Sequence, residues 1–241
     1  MSLAVAVLGA GGRVGRMLVE LIERDSELDL AAAVGRGQIG PECFGNAAVV
    51  IDFSLPDGLS QALPHLGDAA LVSGTTGLDD GLHFALSKRS RTHAVLRADN
   101  FSTGVTVLAE LVATAARSLP DYDIEIVEAH HRRKVDAPSG TALFLAKRAA
   151  AAREQSLSDS AVHGRQGAVG PRSAGEIGIH ALRGGDIVGE HTVWLSGDGD
   201  RLKLGHVATS REAFARGAIR AARFIGSREP GMYTMVDVLG L

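Results

Sequence analysis

One cysteine, Cys43, stands among 241 residues. That excludes an intramolecular disulfide and a Cys-rich metal site. The spacings C-x-x-C and H-E-x-x-H are both absent, so the ligand pattern gives no pointer to a catalytic metal. Neither sign of charge dominates. Lys and Arg number 25 against 28 Asp and Glu, a formal net charge of -3, which gives no reason to expect a nucleic-acid or membrane-surface partner. No apolar run is long enough to span a bilayer. Met1 to Gly15 has no basic run before its apolar residues and reads as a strand entering a turn, not as a signal peptide. Internal repeats and low-complexity linkers are missing as well. What remains, 45% hydrophobic and 22% charged residues, is the profile of a folded globular protein with room for one large domain or two modest ones. A cytoplasmic location is the expectation.

The order of patterns is informative. Ala4 to Leu8 is an apolar run closed by Gly9, as in a buried parallel strand. GAGGRVG follows, and then Val14, Met17, Leu18, Leu21 and Ile22 recur at helical spacing. Further strands are predicted at Leu30 to Val34, Ala48 to Phe53, Ala70 to Gly74 and Ala94 to Ala98, with helices around Gly58 to Leu66 and Leu78 to Ser87. The glycine-rich link between the second and third strands is too short for a full helix. Continuous apolar strands alternating with helices predict an α/β fold, a Rossmann-like doubly wound parallel sheet. After Asn100 the texture changes. A helix from Val105 to Leu119, a strand at Ile124 to Val127, a polar loop at His130 to Gly140 and a helix over Thr141 to Gln155 precede three β-like runs, GEIGIHALRG, DIVGEHTVWLS and RLKLGHVA. They predict a mixed or antiparallel sheet in a second, α+β domain, before helical spacing returns over Ser210 to Phe224.

GAGGRVG lies between a strand and a helix, where backbone N–H groups and the positive helix end can approach a pyrophosphate and a Cβ would obstruct it. Read as G-x-G-x-x-G, the sixth place is Val14; as G-x-x-G-x-x-G it is Gly9, Gly12 and Gly15, which fits. The competing reading is a turn that only packs helix on strand. The second strand ends in Gly35 and Arg36 rather than in the carboxylate that would hold the ribose 2′-hydroxyl of NAD. Arg36, helped by Arg13, suits a 2′-phosphate, which favours NADPH over NADH; the alternative is a solvated loop arginine. GTTG (Gly74 to Gly77) and ADNF (Ala98 to Phe101) close the fourth and fifth strands, where doubly wound sheets bind ligands, although turn chemistry alone also explains them.

The loop HHRRKVDAPSGT carries two histidines, two arginines and a lysine at five consecutive positions, His130 to Lys134. So dense a cluster of positive charge costs free energy unless an anion is expected. Behind it Ser139, Gly140 and Thr141 open a helix whose N–H groups form a second anion site, while Ser139 or Thr141 also suits a plain cap. Two anion sites suit a small dicarboxylate, and the imidazole and ammonium groups can deliver the proton that hydride addition needs. The bland reading is a solvated charge run.

GAGGRVG, VVIDFS, GTTG, NFSTGV, EAHHRRKVDAPSGTAL, RGGDIVGEHTV and the terminal VDVLGL together resemble the dihydrodipicolinate reductase (4-hydroxy-tetrahydrodipicolinate reductase) family, from about Val5 to Leu241. The long loop motif is highly specific; the glycine turn alone is not. The resemblance implies NAD(P)H-dependent reduction of 4-hydroxy-tetrahydrodipicolinate (dihydrodipicolinate) to tetrahydrodipicolinate on the lysine and diaminopimelate route. It implies His130 as acid/base and Lys134 as proton donor, with His131, Gly140 and Thr141 on the substrate beside the Ser139 already singled out. It places the cofactor at Gly9, Ala10, Gly11, Gly12, Arg13, Val14, Arg36, Gly74, Thr75, Thr76, Ala98, Asp99, Asn100 and Phe101. It implies a nucleotide domain over 1–101 and 211–241, a substrate and tetramerisation domain over 102–210, closure around Asn100 to Ser102 and Thr209 to Arg211, and a homotetramer. Gly35 departs from the family, many of whose members are acidic there, and the link between the second and third strands is shorter. Two rival functions are a non-catalytic NADP-binding regulator, which needs no proton donor, and another Rossmann reductase of a small dicarboxylate, against which the loop motif speaks.

Overall fold

The computed structural model describes residues 2–241. In chain order its elements are β1 (Leu3–Leu8), α1 (Arg13–Glu23), β2 (Leu28–Val34), β3 (Val49–Asp52), α2 (Pro56–Ala62), β4 (Ala70–Ser73), α3 (Asp80–Arg89) and β5 (Ala94–Arg97). There follow α4 (Thr103–Ser118), β6 (Asp123–His130), α5 (Gly140–Ala152), α6 (Leu157–Ser160), β7 (Ala161–His163), β8 (Ile177–Arg183), β9 (Gly189–Ser196) and β10 (Arg201–Ala208). The last are α7 (Glu212–Ile225), β11 (Gly231–Tyr233) and α8 (Met235–Leu239). The chain divides into two compact units. One comprises everything before Gly104 together with Arg211–Leu241, the other Gly104–Ser210. Among the described residues no helix is long and apolar enough to cross a membrane.

The first unit is a six-stranded parallel sheet in the order β11-β5-β4-β3-β1-β2. Strand period two sends alternate residues to opposite faces, and both faces are covered. Val5, Val7, Val49, Ile51, Val72 and Leu96 pack with Leu18 and Ile22 of α1 and with Ala218 and Ala222 of α7. Ala6, Leu8, Val50, Leu71 and Val95 pack with Leu59 of α2 and with Leu82 and Leu86 of α3. That two-sided burial is why the strands read as unbroken apolar runs. The order reverses between β1 and β3, the switch point at which ligands bind such sheets. Residues 35–48 make no helix, as their glycines led one to expect; Phe44 pins them by inserting into the second face.

The second unit is a five-stranded mixed sheet in the order β10-β9-β6-β8-β7. β6 pairs parallel with β8 and antiparallel with β9. Ile124, Ile126, Ile177, Ile179, Val193 and Leu195 pack on Leu108 and Val112 of α4 and on Leu145 and Ala149 of α5. Fully burying each such aliphatic side chain contributes roughly 1.5–3 kcal/mol. The helix expected to run to Gln155 stops at Ala152; Glu154 turns out at φ 55°, and the Arg153 side chain donates to the carbonyls of Leu119 and Tyr122 just past α4.

Candidate functional site

In the first unit the carboxyl ends of β1 and β3 are held together by absent side chains. Gly9 has φ +83°, and a Cβ on it would stand 2.5 Å from the carbonyl oxygen of Phe53. A Cβ on Gly15 would stand 2.1 Å from the carbonyl oxygen of Gly9, so only glycine lets α1 start this close to the strand. Gly11 faces open space. Gly12 caps α1 without any side-chain bond, and the first turn carries no carboxylate. These backbone groups and the positive helix end fit a pyrophosphate. Arg13 and Arg36 are both exposed.

One residue that sequence reasoning passed over holds the neighbouring strand ends. Asp52 is fully buried and accepts the N–H of Ser54 (2.9 Å), the hydroxyl of Ser73 (2.8 Å) and the hydroxyl of Thr75 (2.8 Å). Burial pushes its pKa up, against those hydrogen bonds. Thr75 therefore turns its side chain inward while Thr76 stays exposed beside Gly74. Phe101 is likewise a core side chain, 5.3 Å from Phe53 between ring centroids. Only the backbones of Thr75 and Phe101 remain to face a ligand. Ala98 donates its N–H to Ser73, exposed Asp99 accepts from Arg97, and Asn100 accepts the N–H of Ser102.

In the second unit the core face of β6 becomes polar towards its end. Ile124, Ile126, Glu128 and His130 share that face by period two. Glu128 is fully buried. Strand register places it opposite His191 of β9, and His130 opposite Arg183 of β8. Arg183 donates both arms to Glu128, at 2.7 and 2.8 Å, and a third bond to the carbonyl of Asp136 (2.8 Å). Nδ1 of His130 lies 2.6 Å from Glu128, whose other oxygen accepts the N–H of Ser139 (2.9 Å). Burial raises the pKa of Glu128, but Arg183, His130 and Ser139 outweigh it and hold the carboxyl below the usual range.

Ser139 sits at the start of α5 and is itself buried. Its hydroxyl accepts the N–H of Ala142 (3.1 Å) and lies 3.0 Å from Nε2 of His191, so its side chain is spent on the cap rather than facing outward. Burial, with His130 adding to it, pulls His191 down to about 4 and keeps it neutral. Gly140 is exposed with open space around it and Thr141 is half-buried. His131 follows the strand end, and its carbonyl accepts the N–H of Lys134. The ammonium of Lys134 is paired with both oxygens of Asp136 (2.8 and 2.7 Å), which holds that carboxyl below its ordinary pKa. Sequence reasoning missed Glu128, Arg183 and His191. The strand predicted over Ile124 to Val127 runs on to His130, and the i, i+2 spacing of Glu128 and His130 just past the predicted end was the available signal. Among the described residues, no group of three His, Cys, Asp or Glu is placed to hold a metal ion.

Comparison with known proteins matches both units. A family model described as dihydrodipicolinate reductase, N-terminus, covers residues 3–101, and one described as dihydrodipicolinate reductase, C-terminus, covers 104–239. The 4-hydroxy-tetrahydrodipicolinate reductase of Halorhodospira halophila is 44% identical over 267 positions, spanning 100% of each chain. The protein of that name from Nitratiruptor sp. is 45% identical over 254 positions, spanning 99% of this chain and 100% of its own. Both alignments exceed 241 positions, so these relatives carry residues this chain lacks. A solved structure of dipicolinate-bound dihydrodipicolinate reductase from Paenisporosarcina sp. TG-14 shares the fold, with TM-score 0.76 and 22% identity over 98% of this chain and 99% of that one.

Proposed function

This chain belongs to the dihydrodipicolinate reductase family, and from that premise we propose which of its residues carry the reaction. It is an oxidoreductase that converts 4-hydroxy-tetrahydrodipicolinate to tetrahydrodipicolinate, a step towards lysine and diaminopimelate. When bound, NAD(P)H supplies a hydride from nicotinamide C4. The glycine turn Gly9 to Gly15 takes the pyrophosphate on its backbone, and the turns Gly74 to Thr76 and Ala98 to Phe101 take the nicotinamide end. Arg36 pairs with a 2′-phosphate, so NADPH is preferred over NADH; Gly35 leaves no carboxylate to oppose it.

The substrate ring carries two carboxylates and an imine, which becomes conjugated once the 4-hydroxyl has left as water; hydride and proton then add to that ring. Exposed Gly140 and half-buried Thr141 offer one carboxylate the N-terminal end of α5. His131 and Lys134 take the other, with the substrate replacing Asp136 on the lysine ammonium. A proton must reach the ring as the hydride arrives, and His130 or Lys134 delivers it. The observation that carries this assignment is His130 held by a fully buried carboxylate beside the opening turn of α5. The second unit also assembles the chain into a homotetramer. Leu182 (56% exposed) and Val207 (62% exposed) belong to strands of its sheet and await cover. With its single Cys43, the enzyme works in the reducing cytoplasm.

The test supplies freshly made 4-hydroxy-tetrahydrodipicolinate and follows nicotinamide absorbance with each cofactor in turn. Consumption of NADPH at the lower KM is expected. A protein that binds cofactor but oxidises none with this substrate would mean the residue assignment is wrong.

A further inference from the structure

The reaction outlined above uses Glu128 only as the group that holds His130, yet this carboxylate is fully buried and accepts four hydrogen bonds. One oxygen accepts from Nδ1 of His130 (2.6 Å) and from one arm of Arg183 (2.7 Å). The other accepts from the second arm of Arg183 (2.8 Å) and from the N–H of Ser139 (2.9 Å). A lone buried carboxyl would give up its charge. Here a guanidinium fork and a backbone N–H keep it ionised and acceptor-only. An acceptor-only oxygen 2.6 Å from Nδ1 requires the ring hydrogen to be on Nδ1, which leaves the lone pair of the neutral ring on Nε2. Beyond Nε2 stands Gly189, where a Cβ would come within 3.1 Å of that nitrogen. A side chain at that position would crowd Nε2.

We propose that Glu128 is a positioning residue that fixes His130 as the Nδ1–H tautomer, presents Nε2 as the nitrogen that exchanges protons with substrate, and ties the imidazole ring to the start of α5 through Ser139. Nε2 takes a proton from solvent, gives it to the substrate ring and returns to the neutral Nδ1–H form. The adjacent carboxylate stabilises the imidazolium between those steps without itself being protonated. Arg183 maintains the charge that makes this possible. The same carboxylate holds Ser139, so the proton carrier and the anion-binding helix end keep one fixed spacing. This inference rests on His130 being the proton carrier of the reading above.

The test is nitrogen NMR of the full-length protein labelled at histidine, above the pH range in which imidazole titrates. His130 is identified by the signals that His130→Gln removes. The wild type is expected to show Nδ1–H at His130; an Nε2–H ring there overturns the proposal whatever any variant does. In Glu128→Gln an amide nitrogen replaces one acceptor. The expected result is an Nε2–H population at His130 and a fall in kcat of at least about 100-fold, with KM for the substrate within about threefold. A Glu128→Gln enzyme with wild-type tautomer and wild-type kcat overturns the proposal. If that variant does not fold, the wild-type tautomer decides. Failure of the underlying reading has a different signature: His130→Gln would keep wild-type turnover while the wild-type ring still showed Nδ1–H.

Discussion

The candidate sites of the two units are made of opposite materials. In the first unit a ligand's place is prepared by backbone and by missing side chains: Gly9 and Gly15 because any Cβ would strike a carbonyl, Gly11 because it faces open space. In the second unit two strands and a helix end converge on one buried carboxylate, and nearly every group is a charged or polar side chain. The first kind of site is vulnerable to added atoms. The second is vulnerable to a changed hydrogen-bond role even when shape is kept.

That contrast breaks or holds in three measurements beyond those already given. The largest effect is expected for His130→Gln, which keeps volume and removes the acid. The kcat should fall about 1000-fold, while cofactor affinity, measured by fluorescence titration, stays unchanged. Equal loss of both would mean that the sites of the two units do not act separately. Gly15→Ala is the converse. One methyl meets backbone at 2.1 Å, and overpacking of this kind costs about 1–3 kcal/mol. Cofactor should bind about tenfold to 100-fold more weakly, and calorimetry with dipicolinate should still find the second unit's site intact. An alanine variant with wild-type cofactor affinity would show that the close approach is dispensable. The smallest effect is expected for Arg36→Ala, an exposed cation. KM for NADPH should rise about tenfold and KM for NADH hardly at all. Parallel changes in both would remove Arg36 from the 2′-phosphate.

The first unit was the more legible of the two, for the same reason. Parallel strands buried on both faces appear as apolar runs, and glycines at strand ends mark turns without any knowledge of partners. What escaped there was short or cooperative. β11 has three residues, too few to show a period, and exists because it pairs with β5. Asp52 sits in a strand that looks purely apolar around it, and its role appears only when Ser73 and Thr75 arrive from β4 and the turn beyond. In the second unit the polar loop stood out by composition, but its organisation did not. Arg183 and His191 lie more than fifty positions from their partners and meet them through register. Ser139 could be read from sequence as ligand or as cap, and only the fold shows its hydroxyl bonded to the N–H of Ala142 and beside His191. Thr75 and Phe101 were grouped with neighbours that face outward, although their own side chains turn to the interior.

The first unit is interrupted: its chain leaves after β5 and comes back only at α7, which lies along α1 with Gly217 set against the carbonyl of Phe101, where a Cβ would stand 1.7 Å away. A ribosome making this protein therefore releases the whole intervening unit before it has finished the one that began first. Until α7 emerges, one face of the nascent sheet lacks its covering helix and shows Val72 and Leu96 to water, the kind of surface that attracts chaperones and self-association. A premature stop anywhere between the polar loop and α7 would then be felt at the opposite end of the polypeptide, in the fold that the first hundred residues had begun.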